Sequence, residues 1–171
     1  MDFMRTTGFI GSGALFAALG LALVLLAGCD RQRVGKLEEG VATEAQVRQQ
    51  FGSPDQIEVE SDGTRVLSYP RQPEGWTNYE IRIGPDGKMS SLRQLLNEDN
   101  FARVQPGMRS MDVRRMLGKP AQTRHYDLKN ETVIDWRFKQ RGQESKLFSV
   151  TFGADAKVLS TAIGDDPREM H

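Results

Sequence analysis

Residues 40–54 read GVATEAQVRQQFGSP, and residues 107–120 read GMRSMDVRRMLGKP. Each stretch opens on a glycine and carries two apolar residues four apart, Val47 and Phe51 in one, Val113 and Leu117 in the other. Each closes on Gly-x-Pro, at Gly52–Pro54 and Gly118–Pro120. Apolar residues four apart share one helical face. Glycine suits a left-handed C′ position, and the proline beyond it forbids continuation. Thr43 and Gln46 form a T-x-x-Q capping box, and Ser110 stands where it can cap the second copy. The pattern predicts a short helix directly after each glycine turn.

Working outward, the likeness continues. Val66–Tyr69 (VLSY) matches Val133–Trp136 (VIDW), and Tyr79–Met89 (YEIRIGPDGKM) matches Phe148–Val158 (FSVTFGADAKV). Three blocks in one order, with offsets drifting only by small loop insertions, indicate a duplicated unit. Beyond the prolines the apolar period switches to two. Leu67/Tyr69, Tyr79/Ile81/Ile83, Ile134/Trp136/Phe138 and Phe148/Val150/Phe152 alternate with polar neighbours, as strands with one buried face do. Asp62-Gly63 and Asp86-Gly87 are hairpin signals. A shorter helix is expected ahead of each Gly-x-Pro helix, over 33–39 and 97–104. The expected fold class is therefore α+β: two tandem repeats, each two helices followed by a three- or four-stranded antiparallel meander, with helices covering the apolar face. The expected boundaries are 29–96 and 97–163 for the repeats and 164–171 for a polar tail.

The N-terminus carries a different signal. Arg5 precedes an apolar run from Phe9 to Leu26, which ends in Leu26-Ala27-Gly28-Cys29. Small residues at the end of such a run mark a signal peptide, because the peptidase needs a slender extended backbone there. Here the chain's only cysteine follows the small pair, and the arrangement resembles a bacterial lipobox. That resemblance implies cleavage after residue 28, a diacylglycerol on the Cys29 sulfur, and commonly a third acyl chain on the new amine. Several chains, at about 0.8 kcal/mol per buried CH₂, make a lasting anchor where one is marginal. A plain membrane-spanning anchor is the simpler alternative for a run of this length. Asp30 resembles the inner-membrane retention signal of enteric bacteria, so the anchoring membrane stays open between outer and inner. The periplasmic side is the expectation in either case.

Taken together, the lipobox, the paired Gly-x-Pro helices, the aromatic strands and the Ile81-Arg82-Ile83-Gly84-Pro85-Asp86-Gly87-Lys88 hairpin resemble the SmpA/OmlA domain of BamE-like lipoproteins. In tandem, the units are similar to the β-lactamase inhibitor protein fold. The resemblance spans about residues 33–163 and implies a role in outer-membrane protein assembly or envelope integrity, with the β-barrel assembly machinery as the natural partner. The chain departs from that family in having two units and in lacking a Gln-Gly-Asn segment near its start.

Composition narrows the chemistry. The 171 residues hold 23 basic and 23 acidic side chains, one cysteine and two histidines. A nucleic-acid binder needs a basic excess. One cysteine permits no internal disulfide and no Cys/His zinc cluster. No Gly-x-Ser-x-Gly elbow is present. His125 reads as a strand-edge histidine and His171 as part of the tail. Asp62, Asp86 and Asp155 suit turns better than metal ligation. Asp165, Asp166 and Glu169 lack calcium-loop spacing and read as a solvated tail. No catalytic set, cofactor, metal or small-molecule substrate is expected.

The distribution of charge says more than its sum. Residues 30–100 carry 9 basic and 13 acidic groups, and residues 101–171 carry 13 basic and 9 acidic. Mutual attraction of the two units accounts for this in the plainest way. The functional alternative is a basic surface on the second unit, where Arg137, Lys139, Arg141 and Lys146 gather about one hairpin. Strand alternation puts Glu80 and Arg82, with Asp135, Arg137, Lys139 and Thr151, on the sheet faces opposite the helices. Trp136 and Tyr79 read as core. Trp76, in the 72–78 loop, fits no apolar face and suits either packing or a partner. The expected partner-binding residues are Arg82, Trp76, Arg137, Lys139 and Arg141, and the lipidated residue is Cys29. Two functional classes fit: a non-enzymatic envelope lipoprotein that binds a protein, and an inhibitor that fills an enzyme cleft from a concave double sheet.

Overall fold

The computed structural model describes residues 33–169. Residues 1–28, read above as a signal segment, lie outside the described residues, as do Cys29, Asp30 and His171. Glu38 begins one compact unit; Arg33–Leu37 fall outside it and hold helical geometry at Arg33 and Val34, then turn.

Strands dominate. In the first half, α1 (Glu44–Phe51) is followed by β1 (Gln56–Val59), β2 (Arg65–Pro70), β3 (Asn78–Ile83) and β4 (Met89–Gln94). In the second, α2 (Glu98–Ala102) and α3 (Ser110–Leu117) precede β5 (Gln122–Tyr126), β6 (Glu131–Gln140), β7 (Glu144–Phe152) and β8 (Val158–Asp165). The eight strands make two separate antiparallel four-stranded sheets, ordered β1-β2-β3-β4 and β5-β6-β7-β8. This corrects the expectation of two helices before each meander. The stretch 33–39 contains Gly35 and offers only Val34 and Leu37 to a helical face, and beyond residue 34 it is turn and irregular chain. Over 97–104 the helix shrinks to the five residues of α2. No strand of one sheet is hydrogen-bonded to a strand of the other.

The same local devices recur in each half. Thr43 and Gln46 exchange both capping-box bonds at α1. At α3 the N-cap is Arg109, not Ser110, and no side chain caps it. Gly52 and Gly118 end their helices with φ of 83° and 74° but ψ of −158° and −159°. That is an extended positive-φ conformation open essentially to glycine alone, in place of the expected left-handed helical one. The turned carbonyl is then caught by an aromatic from the second strand: Tyr69 Oη donates to Gly52 O at 3.3 Å, and Trp136 Nε1 to Gly118 O at 3.0 Å. Phe51 meets the rings of Tyr69 and Tyr79 at 5.3 and 5.4 Å, while Phe101 packs on Phe138 and Phe148 at 4.7 and 4.2 Å. One short helix face thus covers the middle of each sheet, with Val47 and Val113 fully buried.

Candidate partner-binding surfaces

The expected partner-binding residues fall in three places. Trp76, Arg137 and Lys139 come together, but around contacts within the chain. The 71–77 loop of the first half lies over the helix-free face of the second sheet at the β6–β7 end. Gln72, buried, grips the backbone of Arg137: its Nε2 donates to Arg137 O at 2.8 Å, and its Oε1 accepts from Arg137 N at 3.3 Å. The Arg137 guanidinium donates to Asp166 Oδ2 at 2.5 Å and Oδ1 at 3.3 Å, and also to Pro73 O. Asp166 further accepts from Ser145 Oγ at 2.8 Å, and Ser145 Oγ accepts from Trp76 Nε1 at 2.7 Å. Lys139 Nζ sits 4.4 Å from the centre of the Trp76 ring and 2.8 Å from Glu169 Oε1.

Arg137 is therefore 7% exposed and fully occupied, and Asp135 beside it is 0% exposed under Gln122 and Arg124. The expectation that both face solvent on a bare sheet is corrected. Alternation correctly puts them opposite the helices, but it cannot say what else covers that side. The stretch read as a solvated tail is likewise structured: β8 runs to Asp165, and Asp166 is 1% exposed. Burial pushes the Asp166 carboxyl up, yet the hydrogen bonds from Arg137 and Ser145 outweigh it and hold the group at about 2. The three carboxylates of this segment each face a cation, Lys146, Arg137 or Lys139. Among the described residues no group of three or more His, Cys, Asp or Glu side chains is arranged to hold a metal.

Arg141 sits apart, exposed, at φ 50° in the β6–β7 turn. Arg82 stays on the helix-free face of the first sheet, paired with Glu60 and with Glu80 at 3.8 Å. Gln72, Asn78, Ser145 and Asp166 were not anticipated. The clue was slight: Asn78 precedes the Tyr79/Ile81/Ile83 alternation directly, and a strand-end Asn without turn geometry needs partners. It finds them at the end of α3, where Nδ2 donates to Leu117 O at 2.7 Å and Lys119 O at 2.8 Å.

This docking leaves a groove of about 310 Å³ between the helix-free face of the first sheet and the end of α3. One wall is acidic, with Asp55, Glu58 and Glu80; the other is basic, with Arg114, Arg115 and Lys119. Val66 and Tyr79 supply apolar floor, and Lys119 Nζ reaches across the walls to Asp55 Oδ1 at 3.7 Å. A second feature is the β5–β6 hairpin, whose tip holds Leu128 at 104% exposure. His125 lies one strand pair back from that tip, with Nδ1 3.0 Å from Thr132 Oγ1. No helix among the described residues is long and apolar enough to cross a membrane.

No family model matches the chain, and no curated protein matches it. Two solved structures are similar to it. A DUF4309 family protein, YjgB, from Bacillus subtilis is 16% identical, with 76% of this chain and 82% of that chain covered and a TM-score of 0.29. A structure described as a "putative beta-lactamase inhibitor protein" from Streptococcus mutans is 12% identical, with 80% and 96% covered and a TM-score of 0.32. Likenesses of this size decide neither fold nor function.

Proposed function

We propose that this chain is a non-enzymatic protein-binding module, held on the periplasmic side of a bacterial membrane by lipid on Cys29. The observation that carries the reading is the groove beside α3. Its opposed acidic and basic walls over an apolar floor suit an extended protein segment carrying both charges, which each wall orients. The lipobox order at Leu26–Cys29 supports the anchor, and the SmpA/OmlA resemblance directs attention to the outer-membrane assembly machinery as partner.

A second reading, insertion into an enzyme cleft, draws on the exposed Leu128 at the hairpin tip, because an apolar side chain projecting from a tight turn fits a pocket. Photo-crosslinking of the full chain in membranes separates the two. Probes at Glu58, Glu80 and Arg115 are expected to trap an envelope protein, while a probe at Leu128 is not. Adducts from position 128 alone favour the cleft reading, and none from any of the four positions overturns both.

A further inference from the structure

The edges of the two sheets are not equally covered. β4 and β8 are each bridged at their starts by the chain leading into α1 and α3, at Thr43–Lys88 and Arg109–Lys157. β1 and β5 are the opposite edges and carry no such bridge among the described residues. Both enter their sheets in the same way, since Asp55 N donates to Ser68 O and Ala121 N to Asp135 O, each at 2.8 Å. Ile57, Glu58 and Val59 are therefore the counterparts of Thr123, Arg124 and His125.

The counterparts differ in what they offer outward. Glu60 N donates to Thr64 O at 2.8 Å, and the β1–β2 register continues unbroken through Val59 to Gln56. Antiparallel alternation then turns the backbone of Glu58 toward β2 and the N–H and C=O of Ile57 and Val59 outward. Among the described residues none of these outward groups has a hydrogen-bond partner. The side chains of Ile57 and Val59 are 43% and 69% exposed. The fold does not require apolar residues there, because the same two positions in β5 are Thr123 and His125. Between them, Glu58 is exposed and bonded only to Gln56, Nε2 to Oε1 at 2.9 Å, whereas Arg124 is paired with Asp135. An uncovered edge with exposed apolar side chains is a template for another strand.

We propose that an extended segment of a protein partner, alternating basic with apolar residues, adds to β1 as an antiparallel outer strand of the first sheet. The proposal rests on the protein-binding reading of the groove and states how the segment is held. Partner residues opposite Ile57 and Val59 exchange both backbone bonds with them, and paired side chains share one face, so apolar meets apolar. The partner residue between them lies beside Glu58 on the helix-free face, where β1 itself forms part of the acidic wall of the groove. A lysine or arginine there matches a carboxylate that no cation of this chain pairs with. A second copy of this chain is a poor match. Pairing Ile57 with Val59 about a two-fold axis sets Glu58 against Glu58, and like charges directly opposite are destabilising.

A dye-labelled peptide, Lys-Val-Lys-Val-Lys-Val-Lys, titrated with the full chain in detergent and read by fluorescence anisotropy, tests the pairing. N-methylation of its valines removes the amides that face β1 and should weaken binding at least about tenfold. N-methylation of its lysines, whose amides face away, should leave binding within about twofold. Val59→Pro deletes an outward N–H at an edge position that tolerates proline. The double variant Ile57→Thr, Val59→His copies β5. Both should lose the peptide by at least about tenfold while their melting temperatures stay within a few degrees of the parent. Glu58→Arg should reverse the preference, in favour of Glu-Val-Glu-Val-Glu-Val-Glu. No binding at millimolar peptide, equal loss from N-methylated lysines, or binding unchanged in both edge variants would each overturn the proposal. Ile57→Cys linking to Val59→Cys of another copy would assign the edge to self-pairing and overturn it as well. The groove is read separately: envelope-protein adducts from probes at Glu80 and Arg115 that persist in Val59→Pro leave the groove in use and the edge out of it.

Discussion

Single residues in this chain are decided by backbone conformations that few side chains tolerate. Gly52 and Gly118 occupy the same positive-φ extended state, where a side chain costs on the order of 1–3 kcal/mol. Their surroundings differ. A Cβ on Gly52 would meet nothing within 4 Å, whereas one on Gly118 would lie 3.1 Å from Asn78 Nδ2. Gly118→Ala should therefore cost more than Gly52→Ala, because it also displaces Asn78 from the Leu117 and Lys119 carbonyls, a loss of roughly 1–3 kcal/mol by itself. Urea midpoints of the two variants check this, and equal shifts would contradict it. The reverse case is Ala156, at φ 57° where the first repeat has Gly87 at φ 77°. Ala156→Gly should raise stability by about 0.5–1 kcal/mol, since left-handed strain in alanine exceeds the entropy glycine adds to the unfolded chain. An unchanged or lowered melting temperature would count against the shared turn geometry.

Elements were legible in the sequence where period and punctuation agreed. Val47/Phe51 and Val113/Leu117 locate α1 and α3 because both apolar spacing and a glycine stop point the same way. The 33–39 segment had spacing without a cap, and the helix did not extend through it. The hairpin aspartates act as expected: Asp62, Asp86 and Asp155 accept from the backbone N–H two residues on, at 2.8, 3.1 and 3.2 Å. What alternation could not show was the far side of β6. Its polar residues Asp135 and Arg137 resemble a solvated face in sequence, since a buried ion pair and an exposed one use the same letters. The partner that buries Arg137, Asp166, lies 29 positions away in an acidic stretch with no apolar pattern. This element-scale contact carries a pH dependence. The Asp166 carboxyl is held near 2, below its ordinary 3.8, so it stabilises the fold above about pH 4 and that contribution is lost as pH falls through 2. The shift corresponds to about 2 kcal/mol. In Asp166→Asn the acid limb of the stability curve between pH 4 and 2 should flatten by about that amount, and an unaltered limb would remove the carboxylate from the account.

For the whole molecule, the division of charge between halves is resolved in part inside the chain. Lys119 meets Asp55, and Arg168 meets Glu74 at 3.0 Å, each pairing a second-half cation with a first-half carboxylate. Such exposed pairs contribute little individually, roughly 0–1 kcal/mol. The Gln72–Arg137–Asp166–Ser145–Trp76 chain of hydrogen bonds is the stronger fastener because it is buried. The duplicated pattern could be read from one sequence, since each block recurs in order; the docking of one copy on the other could not, because it uses residues such as Gln72 and Ser145 that have no counterpart pattern. At the membrane, Cys29→Ser should leave the chain unlabelled by fatty acid and uncut or released from the envelope. A variant that is still processed and still membrane-bound would exclude a lipid anchor at this residue.

The central claim is that Arg137 is held by a buried ion pair with Asp166 beneath the first-half loop and is not offered to a partner. Its most direct test is a double-mutant cycle on Arg137→Ala and Asp166→Ala, read by chemical denaturation. Each single change should cost about 3–5 kcal/mol, since either leaves a buried charge without its counterpart. The double change should cost clearly less than the sum, with a coupling of at least about 1 kcal/mol. Denaturation midpoints that stay at the parent value for Arg137→Ala, or costs that simply add, would contradict it.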